Sequence, residues 1–137
     1  TMNHLIKLIT LNNKLLRILQ QKSFRTHTAE LYKTYCTLPI QVLHNYQILL
    51  FMHKFVHHKS KLPSAFLAYF DKNKIIHQYN TRQKDDFHTH SVQSEVGKRA
   101  IKFKGCKLWN SLPVELKEIE SCFSFKYRLK NHLLHLL

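Results

Sequence analysis

The sequence has few of the residues that make tight turns. Its 137 residues include 2 glycines and 3 prolines. β-Barrels and β-sandwiches need many turns rich in these residues, so their scarcity argues against an all-β fold and favours helices. Aromatic residues nevertheless make up 12% of the chain and hydrophobic residues 44%. This is more apolar material than an unfolded, solvated tail carries, so a folded protein is expected.

Acidic residues are scarce as well. The chain has 8 aspartates and glutamates against 22 lysines and arginines, which gives a formal net charge of +14. Residues 1–84 alone hold 13 basic and 2 acidic side chains. Such an excess repels itself unless an anionic partner shares the charge. The composition therefore favours nucleic acid, an acidic protein or an acidic membrane surface as the partner, and a neutral small-molecule pocket would not explain it.

Two further absences concern the compartment and the membrane. Cys36, Cys106 and Cys122 are odd in number and lack Cys-x-x-Cys spacing. This argues against a disulfide framework and predicts three buried or half-buried thiols in a reducing compartment inside the cell. Apolar runs such as residues 48–52 are far shorter than the roughly 18 residues of a membrane span. No membrane partner is expected.

Apolar periodicity predicts a mainly α fold, a compact bundle of five or six helices with at most a small β element. The predicted helices cover residues 3–22, 28–36, 39–58, 63–70, 113–120 and a last stretch that begins after Ser121. The first is amphipathic, and the one over 39–58 is apolar around nearly its whole circumference, which marks a central buried helix. Each proline follows a leucine and is predicted to start a helix.

The polar middle of the chain breaks this helical pattern. Residues 71–99 are predicted to form one long polar loop inside a single domain that spans residues 1–137. Long loops in compact domains are usually functional or disordered. Residues 100–104 alternate between apolar and basic side chains, which predicts a short, half-exposed strand or extended segment.

Catalytic and metal-binding patterns are incomplete. His53 and His57 are four residues apart on a predicted helix, and His88 and His90 could add a ligand. The His-Glu-x-x-His pattern is missing, and no carboxylate lies within four residues of the pair. Asp85 and Asp86 are neighbours in a loop with no acidic partner nearby. The sequence therefore predicts no metal site, no cofactor and no enzyme activity.

Basic residues alternate with aromatic and histidine side chains in and after the polar segment. Cations can neutralise phosphates while flat rings stack on unpaired bases, which is the usual combination for single-stranded nucleic acid. The predicted nucleic-acid-binding residues are Lys72, Lys74, His77, Tyr79, Arg82, Lys84, Lys98, Arg99, Lys102, Lys104, Lys107 and Trp109. The open alternative places Tyr79 and Trp109 in the core and leaves the lysines only to keep the protein soluble.

Two segments resemble a known family. Residues 77–82, His-Gln-Tyr-Asn-Thr-Arg, resemble the His-x-Tyr-x-Thr-Arg motif near the C-terminus of reverse transcriptases from jockey-like LINE elements, the retrotransposons without long terminal repeats. Residues 105–113 resemble the Gly-x-x-Leu-Trp-Asn-x-Leu-Pro motif that follows in that family, although Cys106 stands where proline is more usual. Residues 62–66 and 124–126 are similar to further family segments, in the same order.

The resemblance implies a C-terminal fragment of a longer polyprotein, beyond the polymerase palm and thumb. The palm's Ala-Asp-Asp motif is not in the sequence, so polymerase chemistry is not expected here. The implied function is noncatalytic binding of template RNA or single-stranded target DNA, in a nuclear or cytoplasmic ribonucleoprotein with the rest of the reverse transcriptase. Alternatives are a helical docking module that braces the thumb and an inactive remnant of a mobile element. The oligomeric state stays open.

The motif residues also have structural interpretations. Thr81 and Arg82 could hold the polar segment through a buried salt bridge or through bonds to helix-end carbonyls. Trp109 and Asn110 could be a core anchor and a cap before Pro113.

Overall fold

The computed structural model describes residues 2–77 and 81–137, and this part of the chain is mainly helical, as predicted. Its eight α-helices are α1 (Met2–Leu19), α2 (Thr28–Thr34), α3 (Ile40–His57), α4 (Asn73–Ile76), α5 (Glu95–Arg99), α6 (Ile101–Asn110), α7 (Val114–Lys117) and α8 (Cys122–His135). Two 3-10 turns cover Lys59–Lys61 and Ser64–Phe66. None of the described helices combines the length and the apolar character that crossing a bilayer requires.

The prolines mark helix starts, as predicted. α3 begins directly after Pro39, a 3-10 turn after Pro63 and α7 after Pro113. Pro63 and Pro113 occupy the cap position before the first helical residue, each with an extended ψ close to 145°. A proline there leaves no unsatisfied N–H, because the first donors of a helix have no intrahelical acceptor.

The chain divides into two compact units. Unit 1 comprises Thr1–Tyr46 and Tyr127–Leu137, and unit 2 comprises Gln47–Lys126. Helices α3 and α8 each contribute residues to both units. The single domain over residues 1–137 stays a prediction.

In unit 1, a tyrosine fastens α2 to α1. The hydroxyl of buried Tyr32 donates to Asn13 Oδ1 and accepts from Asn12 Nδ2, each at 2.7 Å. α1 forms as predicted, but most of its apolar stripe is exposed. The exposed large apolar side chains of α1 are Leu5, Ile6, Leu8, Leu11, Leu15, Ile18 and Leu19.

The core of unit 2 is built around α3, which confirms its predicted central place. Ile48, Leu49, Met52 and Phe55 are buried on this helix. Gly105 of α6 lets the two helices approach closely, because a Cβ at this position would lie 3.0 Å from Met52 Sδ. Close helix packing thus accounts for the glycine of the second motif.

The predicted strand over residues 100–104 is wrong, because α6 begins at Ile101. Alternation over five residues cannot distinguish a strand from a helix. The longer pattern is helical: Cys106 and Trp109 are both buried on α6 and lie three residues apart.

The polar segment, residues 71–99, is not one uninterrupted loop. It contains α4 and α5, and its residues 72 and 87 form an isolated antiparallel β-bridge. The Asn73 N–H donates to the Asp86 carbonyl, and the Lys74 N–H donates to the Lys84 carbonyl, both at 2.9 Å. These bonds fold the segment back on itself. The sequence did not predict these helices and hydrogen bonds, because the segment is polar and shows no apolar periodicity. Among its described residues, Phe87 is the one buried apolar side chain.

Candidate nucleic-acid interface

Asn110, at the end of α6, fastens the polar segment to unit 2. Its Oδ1 accepts a hydrogen bond from the Phe87 N–H at 3.0 Å, and its Nδ2 donates to the Phe87 carbonyl at 2.8 Å. One side-chain amide therefore satisfies both backbone groups of a buried residue, which would otherwise be costly to leave unpaired. The Phe87 ring packs edge-on to Phe55 at 5.9 Å and near Phe70 at 5.7 Å.

A cavity of about 630 Å³ lies where the polar segment meets α6. This is within the usual size range for a small-ligand pocket. We call it the motif groove, because residues of both family-like motifs line it. Its hydrogen-bonding and cationic side chains include Asn73, His77, Thr81, Gln83, Lys107 and Ser111. Two segments more than twenty residues apart in sequence thus meet at one concave surface.

The negative charge of the motif groove is partly compensated. Asp86 lines the groove, and its Oδ1 lies 3.9 Å from Lys117 Nζ. Lys117 also donates to the Asn110 carbonyl at 2.9 Å. Lys107 is exposed on the same groove. An entering anion therefore meets the exposed ammonium group of Lys107, while the nearby carboxylate already has a cationic neighbour.

Three histidines form a cluster at the motif groove, and two of them, His77 and His88, line it. The His88 ring centre lies 5.3 Å from that of His77 and 4.8 Å from that of His90. His88 Nδ1 donates to Asn73 Oδ1 at 3.2 Å. Desolvation lowers the pKa of His88, the positive charges of His90 and His77 lower it further, and Asp71 opposes them. A bound phosphate would act in the same direction as Asp71 and favour the protonated rings.

Two predicted cations have acidic partners. Lys74 Nζ lies 3.1 Å from Asp85 Oδ1, and both side chains are exposed. Lys98 Nζ lies 2.6 Å from Glu95 Oε1, one helical turn away. The Lys74 hydrogen bond and charge lower the pKa of the Asp85 carboxyl. Exposed pairs of this kind contribute little free energy, so a phosphate can compete for either ammonium group.

The other predicted cations differ in exposure. Arg82, Lys84 and Arg99 are exposed, so the interpretation of Arg82 as half of a buried salt bridge is wrong. Lys72, Lys102 and Lys104 are half-buried. Burial lowers the pKa of Lys104, and Lys102 Nζ lies 5.7 Å from the centre of the Tyr69 ring. Tyr79 lies outside the described residues.

Trp109 must be removed from the predicted interface. It is 5% exposed, and its ring centre lies 6.0 Å from that of Phe125. An indole in this position cannot stack on a base unless the core opens, so the core-anchor interpretation is correct. Asn110 fixes the polar segment, and Pro113 rather than Asn110 occupies the cap position of α7.

Several groove residues have little signal in the sequence. Asn73, Gln83 and Ser111 are single polar side chains without a motif of their own. Asn110 stood inside a recognisable motif, but its contact with Phe87 spans 23 positions. Such long-range pairs leave no periodic signal in one sequence.

One cysteine differs from its predicted burial, and the predicted histidine pair gains no further ligand. Cys106 is buried and Cys122 half-buried, but Cys36 is exposed, so the prediction for Cys36 is wrong. Burial raises the pKa of Cys106 to about 11, which makes this thiol unreactive near neutral pH. The pair His53 and His57 does not gather a predicted third ligand, because the one group of possible metal ligands among the described residues contains His53 but not His57, His88 or His90. His57 Nε2 donates to the Lys117 carbonyl at 2.8 Å.

A different group offers donor atoms to a metal ion. One ring nitrogen of His53, one of His58 and the Cys122 sulfur all lie within 4.8 Å of one another.

No family model, curated protein or solved structure matches the chain.

Proposed function

We propose that unit 2 binds single-stranded nucleic acid through the motif groove. The observation that carries this proposal is that both family-like segments line one cavity, with His77 and Thr81 from the first and Lys107 and Asn110 from the second. The chain as a whole would be a noncatalytic C-terminal module of a LINE-type reverse transcriptase, and it would bind template RNA or target DNA.

The chemistry of the groove suits a nucleotide chain. Lys107 supplies a cation for a phosphate, and amide and hydroxyl side chains such as Gln83, Thr81 and Ser111 can reach base edges or sugar hydroxyls. Exposed Arg82 and Lys84 lie next to these residues in sequence and would extend the path of the backbone. The net charge of +14 supports association with a polyanion.

The proposed setting follows from the family resemblance. The rest of the reverse transcriptase would be the protein partner, and the complex would be a nuclear or cytoplasmic ribonucleoprotein. Catalysis would belong to the polymerase and endonuclease of the parent protein.

Single-site variants test the groove. Affinity for a fluorescent single-stranded RNA is measured with the full chain and with Lys107→Ala, Arg82→Ala and Lys61→Ala. Lys61 is the matched control, because it is an exposed lysine of unit 2 outside the groove. We expect Lys107→Ala and Arg82→Ala each to weaken binding about three- to tenfold, and Lys61→Ala to have a smaller effect. Equal losses for all three would show diffuse charge attraction without a site.

A docking role is the second candidate, and α1 favours it. Its exposed leucines and isoleucines form an apolar surface, which is typical of a protein interface. Under this alternative, Leu11→Asp would abolish co-elution with the thumb domain of a jockey-like reverse transcriptase and leave RNA affinity unchanged. Loss of RNA affinity in this variant would instead place α1 in the nucleic-acid interface.

A further inference from the structure

Two histidines at the end of α3 have their tautomers fixed by backbone carbonyls. His53 Nε2 donates to the Ile119 carbonyl at 2.6 Å, and His58 Nε2 donates to the Glu120 carbonyl at 2.8 Å. A carbonyl oxygen only accepts, so each Nε2 carries the proton and Nδ1 of the neutral ring keeps the lone pair. Histidines that bind metals usually hold their other N–H in this way, because the carbonyl orients the ring.

A thiol completes the group. Cys122, the first residue of α8, places Sγ 3.8 Å from His53 Nδ1. The sulfur and one ring nitrogen of each histidine lie within 4.8 Å of one another. Tetrahedral zinc with bonds of about 2.3 Å to sulfur and about 2.0 Å to nitrogen would hold its ligands roughly 3.3–3.5 Å apart. The separation of His53 Nδ1 from Cys122 Sγ is already close to this, and an ion would draw the three donor atoms together from separations of at most 4.8 Å.

The end of α3 makes this convergence possible. Residues five apart on a continuous helix point about 140° away from each other. α3 ends at His57, and His58 leaves the helix with φ −134° and ψ 43°. Its ring therefore returns to within 5.6 Å of the His53 ring. His53 is 1% exposed and stacks on Phe125 at 4.1 Å, which fixes one ligand firmly.

We propose that His53, His58 and Cys122 form a Zn²⁺ site in unit 2. On binding, the thiol releases its proton to solvent, and the ion takes its place between Sγ and the two imidazole nitrogens. A cavity of about 270 Å³ borders His53 and Cys122 and leaves room for a water molecule as the fourth ligand. The ion joins the end of α3 to the start of α8, so it stabilises unit 2 independently of nucleic acid.

Metal titration of the full chain, stripped with a chelator, tests the site. We expect one equivalent of Co²⁺ to bind and to give the near-ultraviolet sulfur-to-cobalt charge-transfer band of a thiolate ligand. Zn²⁺ should displace the Co²⁺ and raise the thermal unfolding midpoint, because it binds the folded state. A wild-type protein without this band overturns the proposal.

Variants of the proposed ligands distinguish binding at this site from nonspecific metal binding, because the chain has 11 histidines. Cys122→Ser should lose the band, and both Cys122→Ser and His58→Ala should weaken Zn²⁺ binding at least about tenfold. Cys36→Ser is the matched control, because Cys36 is exposed and outside the group. It should keep both properties. A band that survives in Cys122→Ser, or His58→Ala with wild-type affinity, contradicts the assignment, and circular dichroism verifies that each variant is folded.

Discussion

The Asn110 side chain shows how a motif residue can serve a site without touching its ligand. Its amide holds both backbone groups of Phe87, and the Phe87 ring is buried in unit 2. The polar segment therefore stays against α6, and the motif groove keeps its shape. Trp109, the neighbouring residue, is a core residue. The composition drew attention to cations and aromatics, but one sequence could not separate an aromatic that stacks on a ligand from one that fills the core.

Replacement of Asn110 by alanine should destabilise the protein. Asn110→Ala removes two hydrogen bonds and leaves the buried Phe87 backbone without its partners, which costs about 1–3 kcal/mol. Urea unfolding followed by circular dichroism gives the free energy of unfolding. Ser111→Ala is the control: Ser111 is exposed and its hydroxyl donates to the nearby Leu108 carbonyl, so the loss of stability should stay within about 0.5 kcal/mol. Equal stability of both variants would contradict the role of Asn110.

At the level of the elements, the long amphipathic or fully apolar helices were predictable, and so were the short helices α2 and α7, but α4 and α5 were not. α1, α3 and α8 carry a clear apolar pattern over 14 to 18 residues. α4 and α5 have four and five residues, too few to show a period. Their positions depend on contacts such as the bond from the Asn73 N–H to Asp86. The approach of α6 to α3 likewise depends on Gly105, whose role no local pattern reveals.

Gly105 should tolerate a methyl group better than a branched side chain. In Gly105→Ala, the Cβ would lie 3.0 Å from Met52 Sδ, and a small shift of the flexible thioether is offset by the higher helix propensity of alanine, about 1 kcal/mol. Gly105→Val adds two methyl groups against buried Met52 and Ile48 and should cost about 2 kcal/mol or more. Denaturant unfolding gives the free energy of unfolding of each variant and tests this difference. A valine variant as stable as the alanine variant would show that the helices are not closely packed here.

The histidine cluster should make the polar segment sensitive to acid. The pKa of His88 is lowered in the folded state by desolvation and by His90 and His77, so the unfolded chain binds its proton more readily. Its stabilising contribution is therefore complete above a pH of about 6.5, the pKa of an unperturbed histidine, and is lost as the pH falls through the lowered folded pKa. Unfolding free energies measured from about pH 7.5 to 5 should decline less steeply for His88→Gln than for the wild type. Parallel declines would contradict this role of His88.

For the whole molecule, charge is the property that composition predicts best and that determines the proposed function. The excess of 22 basic over 8 acidic side chains is evident without any structure. Among the described residues, few lysines form salt bridges. The pairs Lys74–Asp85 and Lys98–Glu95 are both exposed. The location of the groove was not predictable, because it arises where residues distant in sequence meet. Neither could the sequence reveal that Cys122 lies beside His53, 69 positions away.

The salt dependence of single-stranded RNA binding tests the central claim most directly. If Lys107 and its basic neighbours neutralise phosphates, log K falls linearly with log salt concentration, by about 0.7 for each phosphate contact. Lys107→Ala should make this slope shallower by about one contact, roughly 0.7, with the fold intact by circular dichroism. An affinity that does not change with salt, or a Lys107→Ala slope equal to that of the wild type, would contradict binding at the motif groove.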